Sequence, residues 1–384
     1  MYVTARPALG IDIFCAVIDN FGDAGVCWRL ARQLANEHGC VVRLWLDRPE
    51  VLAALVPAMR LNEDGRSVEG VWIGNWRDGA AVEPADVVIE AFACNPPDSY
   101  IARMAARERP PVWINLEYLS AEDWVEGSHL LPSKHPRLGL LKHFYFPGFT
   151  ARTGGLLKEV GLDPARQAFE ADSEAQRGFW HDCGVPEPQP GALRVSLFAY
   201  ENAALPDLLE TWGQGTQPVY CAVPLGRSLP AIAAWSGADL QAGSVVTRGS
   251  LQLVVLSFLS QPHYDRLLWA CDLNFVRGED SFVRAQWAQR PFVWHIYQQE
   301  EDAHQIKLDA FLTRYEEDLE VAAKQALRGF WHAWEAQQGA AECWPALAGQ
   351  LSVLRQHAKD WAEDITKHGD LSSKLLIFCK DLVE

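Results

Sequence analysis

The sequence predicts an α/β protein built from two Rossmann-like domains, each a parallel sheet covered by helices on both faces. Short, almost unbroken apolar segments alternate with amphipathic segments in residues 11–116, and the alternation restarts after residue 192. Buried parallel strands are apolar on both sides because helices cover both faces of their sheet. Between the halves, residues 183–191 carry three prolines at alternate positions, which favour an extended linker over a helix or strand.

In both halves, apolar segments predict strands and segments with helical spacing predict helices, in the order expected of β–α–β units. In the first half the predicted strands are 11–18, 40–46, 86–93 and 112–116, and the predicted helices are 25–38 and 49–60. In the second half the predicted strands are 193–200, 218–224, 251–258, 271–276 and 291–297, and the predicted helices are 201–213, 261–270 and 279–289. The predicted domains are 1–184 and 191–344, followed by helices in 345–384 that pack back on the first domain.

Composition limits the partners and the cellular compartment that we expect for this chain. The 384 residues carry a formal charge of −16, so the chain lacks the basic surface that holds nucleic-acid phosphates. No segment reaches the ~20 apolar residues that cross a bilayer, and the N-terminal residues lack the apolar core of a signal peptide. Nine scattered cysteines without a C-x-x-C pair indicate a reducing compartment. We therefore expect a cytoplasmic protein whose partners include neither nucleic acid nor a membrane.

Two carboxylates, Asp19 and Asp23, flank a glycine turn where the first predicted strand passes into the first predicted helix. They are expected at the carboxyl edge of the sheet, where open α/β sheets bind their ligands. The glycines of the turn allow a sharp bend and the close approach of a substrate. The alternative is structural, because aspartate is common in turns and Asp23 could cap the helix.

A second strand–turn–helix transition, within residues 271–290, carries Arg277, Glu279, Asp280 and Ser281. The free backbone N–H groups and the dipole of a helix N-terminus favour anions. A diphosphate bound there would meet those N–H groups, the Ser281 hydroxyl and the Arg277 guanidinium. The alternative is an ordinary helix start, capped by its own acidic residues.

Aromatic and amide side chains follow several strands of the second half, and these are Phe198, Tyr200, Phe258, Gln261 and Tyr297. An aromatic ring at a strand end can stack on a base or a sugar, and glutamine can both donate to and accept from a pyrimidine edge. Each of these residues could instead pack in the core.

Missing motifs exclude several classes of nucleotide enzyme. The chain has no G-x-x-x-x-G-K-[ST] segment, and no G-x-G-x-x-G follows the first predicted strand. A P-loop enzyme is thereby excluded and a nicotinamide-dependent oxidoreductase is disfavoured. No Asp-x-Asp pair is present to hold a metal diphosphate. A metal-independent enzyme would neutralise a leaving diphosphate with helix N-termini and arginine.

Four segments together resemble one family. Residues 19–29, 114–119, 146–155 and 277–281 are similar, in the same order and at similar spacing, to motifs of the bacterial protein-arginine rhamnosyltransferases that modify elongation factor P. The resemblance implies a GT-B fold, in which two Rossmann-like domains face each other across a cleft. It further implies inverting transfer of L-rhamnose from dTDP-β-L-rhamnose to one arginine of elongation factor P. The acceptor protein would bind the N-terminal domain and the donor would bind the C-terminal domain.

The resemblance also implies roles for single residues. The catalytically required acids would be Asp19, Asp23 and Glu279. The donor-binding residues would be Phe258, Gln261, Asp280, Ser281 and Tyr297, with Tyr200 or Phe198 lining the nucleotide pocket, and they would join Arg277, the diphosphate contact expected from the residues themselves. Acceptor-binding residues would be Asp19 and Asp23, joined by Glu117, which follows the strand 112–116 at the same predicted edge. We expect no cofactor and no metal.

The expected chemistry agrees with these roles. An arginine guanidinium has a pKa far above neutral pH and is a poor nucleophile while protonated. Catalysis therefore needs carboxylates that orient the guanidinium and accept a proton as the new bond forms. We expect Asp23 to be the general base and Asp19 to orient the guanidinium. Glu279 would either hold the sugar or complete the guanidinium clamp.

Two other classes of function remain open from the sequence. A glycosyltransferase of the same fold could act on a small molecule or a glycan, which would keep the donor site and lose the protein partner. A non-catalytic protein could bind elongation factor P, with the carboxylates serving only to hold an arginine.

Overall fold

The computed structural model describes residues 8–18, 21–56, 59, 66–79, 81–297 and 303–383. The chain divides into two compact units. The first unit contains residues 1–160 and 365–384, and the second contains residues 161–364. Each unit is organised around one largely parallel sheet, so the prediction of two Rossmann-like domains is confirmed.

The first unit has an eight-stranded sheet. Its strands are β1 (Gly10–Cys15), β2 (Val41–Leu46), β3 (Arg66–Val68), β4 (Val71–Asn75), β5 (Val87–Ala91), β6 (Val112–Leu116), β7 (Pro132–Lys134) and β8 (Leu141–Tyr145). They lie in the order β3-β4-β2-β1-β5-β6-β8-β7, and only the outer strands β3 and β7 pair antiparallel. The chain builds outward from β1 to one side and then returns to its other side at β5. This reversal creates a crevice at the carboxyl ends of β1 and β5, the usual place for a ligand.

The helices of the first unit are α1 (Gly22–Asn36), α2 (Pro49–Leu55), α3 (Trp76–Gly79), α4 (Asp98–Ala106), α5 (Trp124–Ser128) and α16 (Leu371–Val383). The C-terminal helix α16 belongs to this core, because Leu375 and Cys379 are buried together with Ile13 of β1 and Leu30 of α1. The return of the chain is also held by hydrogen bonds. The Gln33 amide donates to the Lys158 carbonyl at 2.7 Å and to an Asp370 carboxylate oxygen at 3.2 Å.

The second unit has a six-stranded sheet. Its strands are β9 (Leu193–Leu197), β10 (Val219–Pro224), β11 (Val245–Arg248), β12 (Leu251–Leu256), β13 (Leu273–Arg277) and β14 (Phe292–His295). They lie in the order β11-β12-β10-β9-β13-β14. The strand order therefore reverses between β9 and β13, and a second switch-point crevice lies at their carboxyl ends.

The helices of the second unit are α6 (Leu162–Ala171), α7 (Ser173–Asp182), α8 (Leu205–Gln214), α9 (Leu229–Ser236), α10 (Gln261–Ala270), α11 (Asp280–Trp287), α12 (Ala303–Tyr315), α13 (Val321–Glu335), α14 (Ala340–Gly349) and α15 (Leu351–Thr366). In the described part of the chain, no helix is long and apolar enough to cross a membrane.

The division between the units differs from the predicted boundary at 184–191. Helices α6 and α7 precede the proline-rich segment but pack within the second unit. The Phe169 ring lies 5.9 Å from that of Trp269, and Arg290 forms an ion pair with Glu170 at 2.9 Å. The tail differs as well, because only residues from 365 onward belong to the first unit. Within α15, the Trp361 indole still donates to the Gln286 side chain of the second unit at 2.8 Å.

Every predicted strand is present, whereas β3, β4, β7, β8 and β11 are not predicted from the sequence. Three of these are antiparallel edge strands of three or four residues, too short for a periodic pattern. The strand β4 contains Gly74, and β8 places Lys142 and His143 among its apolar residues. Pairing with neighbouring strands, rather than local composition, determines these elements.

Candidate active site

The carboxylate of Asp23 is buried at the switch point of the first unit. Its residue lies in the first turn of α1, and only 3% of its surface is exposed. One oxygen, Oδ2, accepts a hydrogen bond from the backbone N–H of Ile18 at 2.8 Å, and Oδ1 accepts one from the Tyr118 hydroxyl at 3.2 Å. The N-cap residue of α1 is Phe21, which makes no side-chain cap hydrogen bond. The Asp23 side chain is thus directed back toward the end of β1 and the loop after β6.

A strained turn after β5 supports this arrangement. Phe92, Ala93 and Asn95 all have positive φ angles, of 57°, 53° and 51°. Residues other than glycine rarely adopt this conformation, and such strain persists where the surrounding structure enforces it, often at functional sites. The Phe92 ring stacks on the Tyr118 ring with centroids 4.2 Å apart and planes 12° apart. The turn therefore fixes the phenol that donates to Asp23.

Glu117 lies at the same edge of the first sheet. Its Oε1 accepts a hydrogen bond of 2.6 Å from the side-chain amide of Asn115, and the side-chain oxygen Oδ1 of Asn115 accepts from the backbone N–H of Ala93 at 3.1 Å. The strained turn and the end of β6 are thereby connected through Asn115, which also holds the Glu117 carboxylate. Asp19, the other predicted acid, lies outside the described residues.

Arg277, the last residue of β13, lies between two aromatic rings at the switch point of the second unit. Its guanidinium carbon is 4.4 Å from the centroid of Phe198 and 4.8 Å from that of Tyr200. The Tyr200 ring also contacts the rings of Tyr297 and His295, with centroids 5.7 and 5.3 Å away. The predicted aromatic residues after β9 and β14 are therefore brought together with the predicted diphosphate contact.

The N-terminus of α11 lies beside this cluster. Glu279 is the N-cap residue and is half-buried, and Ser281 is buried. The Ser281 hydroxyl accepts a hydrogen bond of 3.0 Å from the backbone N–H of Arg277 and donates one to the backbone carbonyl of Arg277. The Gln261 amide donates to Asp280 at 3.4 Å. Two predicted donor-binding residues, one on α10 and one on α11, are thereby joined.

Two buried titratable groups lie at the end of β14, where His295 is the last residue of the strand and Glu335 faces the backbone of the next residue, Ile296. His295 is 1% exposed, and burial, reinforced by the positive charge of Arg277, lowers its pKa to about 4. Glu335, the last residue of α13, is 2% exposed, and burial raises the pKa of its carboxyl to about 7, opposed by the Ile296 backbone N–H. The imidazole is thus neutral near pH 7.

The structure brings most predicted donor-binding residues into one region. Phe258 follows β12 and is 39% exposed. Among the described residues, no group of three or more histidine, cysteine or acidic side chains has the geometry to hold a metal ion.

Sequence reasoning missed three residues of these two regions. Tyr118 follows Glu117 directly, but no pattern indicates that its hydroxyl reaches Asp23. Tyr264 on α10 is half-buried with its ring centroid 5.5 Å from that of Phe198, and desolvation raises the pKa of its phenol. Arg227 follows β10 and lies 5.7 Å from the Tyr200 centroid. A glycine and an arginine directly after a buried strand were the only available signal for Arg227.

Two Rossmann-like units in one chain, each with polar side chains at its switch point, are the architecture of the GT-B fold, which is typical of nucleotide-sugar glycosyltransferases. Two solved glycosyltransferases share the fold. The one from Rickettsia africae has a TM-score of 0.52 at 10% identity and covers 98% of this chain and 99% of its own. The glycosyltransferase of kitacinnamycin has a TM-score of 0.50 at 11% identity and covers 97% of this chain and 99% of its own.

The model of the elongation factor P (EF-P) rhamnosyltransferase family EarP matches residues 11–380, and the chain belongs to this family. The protein-arginine rhamnosyltransferase of Pseudomonas aeruginosa is 49% identical over 372 residues, which are 96% of this chain and 98% of that relative. The enzyme of the same name from Pseudomonas putida is 48% identical, with the same coverage. A structure solved to explain EarP-mediated arginine glycosylation of translation elongation factor EF-P has a TM-score of 0.69 and 35% identity, covering 97% of this chain and 99% of its own.

Proposed function

We propose that this enzyme transfers L-rhamnose from dTDP-β-L-rhamnose to an arginine side chain of elongation factor P, with inversion at the anomeric carbon. Membership of the family and the names of the relatives support this activity. The observation that carries the proposal is the Asp23 carboxylate, which is buried at a switch point with hydrogen bonds to both of its oxygens. A carboxylate held in this way can receive a guanidinium proton in a defined direction.

On the acceptor side, Asp23 serves as the general base and Asp19 orients the guanidinium. A nitrogen of the arginine attacks the anomeric carbon from the face opposite the diphosphate. The N–C bond forms while the C–O bond to the diphosphate breaks, and the leaving oxygen keeps the electron pair. The proton released by the arginine nitrogen passes to Asp23. Glu117 provides a further carboxylate for the cationic acceptor at the same edge.

On the donor side, Arg277 and the N-terminus of α11 neutralise the diphosphate as negative charge develops on the leaving oxygen. Phe198 and Tyr200 flank Arg277 and offer aromatic surface to the nucleotide. Gln261 and Asp280 supply hydrogen bonds, and Phe258 and Tyr297 add exposed aromatic surface. Glu279, the N-cap residue of α11, supplies the third of the catalytically required acids, beside Asp19 and Asp23. This arrangement needs neither a metal nor a cofactor.

Intact-mass measurement of elongation factor P tests the proposal. The acceptor is incubated with dTDP-β-L-rhamnose and with wild-type enzyme, Asp23→Asn or Asp98→Asn. Asp98 is an exposed aspartate in the first turn of α4, so its variant controls for loss of one charge in the same unit. We expect one added deoxyhexose on an arginine with wild type and Asp98→Asn. The rate with Asp23→Asn should fall by roughly 10²–10⁴, the usual contribution of a general base.

The outcomes separate this function from the alternatives. An unmodified acceptor together with stabilisation of the enzyme by dTDP would indicate another acceptor, such as a glycan or a small molecule. Tight binding of elongation factor P without modification, and without any effect of the donor, would indicate a non-catalytic binding protein.

A further inference from the structure

The turn between β10 and α9 brings a second arginine to the nucleotide side of the second unit. The guanidinium carbon of Arg227 lies 5.7 Å from the centroid of the Tyr200 ring, and that of Arg277 lies 4.8 Å from the same centroid. Strand β9, which leads to Tyr200, lies between β10 and β13 in the sheet. The two strands that flank β9 are therefore each followed or ended by an arginine that lies near the same phenol ring.

The turn that carries Arg227 is well anchored. The Leu225 N–H donates to the Leu256 carbonyl at 3.1 Å, and the Leu229 N–H donates to the Gly226 carbonyl at 3.2 Å. Ser228 is buried, with 1% of its surface exposed. A side chain carbon on Gly226 would lie 3.7 Å from the Phe198 ring, so the turn packs against one of the two rings that enclose Arg277. The backbone of Arg227 is thus fixed beside the aromatic pair.

The charges around the two arginines point to an anionic ligand. Arg227 is exposed, and within the described part of the chain no carboxylate forms an ion pair with it. Arg277 is followed within three residues by Glu279 and Asp280, whose negative charge offsets its own. Two guanidinium groups near one ring repel each other, and in a chain of net charge −16 their convergence is notable. A diphosphate relieves the repulsion and supplies acceptor oxygens for both forks.

We propose that Arg227 is a second cationic ligand for the diphosphate of the sugar nucleotide, acting together with Arg277 beside the same Tyr200 ring. The inference rests on the proposed function and adds a residue to its donor site. When the anomeric C–O bond breaks, the electron pair stays on the diphosphate oxygen, and the two guanidinium groups stabilise that charge. A planar guanidinium can bind two phosphate oxygens at once, whereas a lysine ammonium acts as a point charge.

Isothermal titration calorimetry with dTDP, dTMP and thymidine tests the inference. The proteins are wild type, Arg227→Ala, Arg227→Lys and the control Arg248→Ala. Arg248 is matched, since it is also partly exposed and lies over an aromatic ring of the same unit, that of Trp235 at 4.2 Å. Loss of a charged hydrogen-bond partner should weaken dTDP binding by roughly tenfold or more in Arg227→Ala. The loss should be smaller for dTMP and absent for thymidine, with Arg227→Lys intermediate and Arg248→Ala unchanged.

Two results would overturn the inference directly. Wild type and Arg227→Ala could bind dTDP equally well, or Arg227→Ala could lose as much affinity for thymidine as for dTDP. A wild-type protein that does not bind dTDP would contradict the proposed donor instead. The same series with UDP, UMP and uridine then decides the role of Arg227, because the comparison depends only on the diphosphate. Unchanged melting temperatures verify that the variants fold.

Discussion

The Tyr118 hydroxyl donates a hydrogen bond of 3.2 Å to the Asp23 carboxylate, so a residue that follows β6 positions a residue that follows β1. The Tyr118 ring is in turn stacked on Phe92, which has a positive φ angle of 57°. Three chain segments, after β1, β5 and β6, thus cooperate in holding one carboxylate at the switch point of the first unit.

Replacing Tyr118 by phenylalanine removes this hydrogen bond and keeps the stack on Phe92. We expect kcat for rhamnosyl transfer to fall about tenfold with little change in the KM for the sugar nucleotide. A hydrogen bond to a carboxylate favours its ionised form. The acidic limb of the pH–rate profile should therefore move to higher pH in Tyr118→Phe. Tyr100→Phe is the control, because that hydroxyl bonds the buried Asp12 instead. An unaltered profile and rate for Tyr118→Phe would refute a positioning role.

Asp12 is the centre of a buried hydrogen-bond network in β1. Its carboxylate accepts two hydrogen bonds of 2.6 Å from Arg43, one of 2.9 Å from Trp45 and one of 3.0 Å from the Ala85 N–H. Asp12→Ala strands these donors, so urea denaturation should show a loss of about 3–5 kcal/mol in the free energy of unfolding. Asp86→Asn changes a half-exposed carboxylate of the same unit and should lower the free energy of unfolding by about 1 kcal/mol or less. Equal losses would show that Asp12 has no special role.

Glu335 makes the stability of the second unit dependent on pH. Its folded-state pKa of about 7 lies above the ordinary value of 4.5. The folded state therefore binds the proton more tightly than the unfolded state, and stability is lost as the pH rises from about 4.5 through about 7. Glu335→Gln removes this loss. The free energy of unfolding of the variant, relative to that of wild type, should therefore increase by up to about 3 kcal/mol when the pH is raised from 5 to 8.

Unfolding of both proteins at pH 5 and pH 8 measures this gain. Glu320→Gln, at the exposed opposite end of α13, is the matched control and should differ from wild type equally at both pH values. If the free energies of unfolding of Glu335→Gln and wild type change by the same amount between pH 5 and pH 8, the buried carboxyl is not the source of the pH dependence.

The motif Thr153-Gly154-Gly155 has a structural role in docking the C-terminal segment. Gly155 has a φ of +78°, and a side chain carbon there would lie 2.4 Å from the Gly369 carbonyl oxygen. Gly155→Ala should therefore lower the free energy of unfolding by about 2 kcal/mol or more, because it strains the backbone and displaces the segment that leads into α16. Gly161→Ala is the control, because Gly161 has φ of −79° and no atom within 4 Å of the added carbon. Hydrogen exchange in α16 should increase in the first variant only.

The local apolar and amphipathic patterns were sufficient to predict the main alternation of strands and helices, the two switch points and the residues that follow the predicted strands. Asp23, Arg277 and Tyr200 could be placed at sheet edges because strand ends are local features, and a parallel sheet brings all of its carboxyl ends to one edge. The resemblance of four short motifs then predicted the family, and the match of residues 11–380 confirmed it.

Which side chains meet depends on the fold of the whole chain. The hydrogen bond from Tyr118 to Asp23, the approach of Arg227 to Tyr200 and the return of residues 365–384 to the first unit all join segments far apart in sequence. The division at residue 160, rather than at the prolines, arises because α6 packs Phe169 against Trp269 of α10 and α7 packs Trp180 against Tyr220 of β10. Local patterns record which face of an element is apolar. The partner that covers that face is selected by packing of the whole chain, since side chains must fill the core without voids.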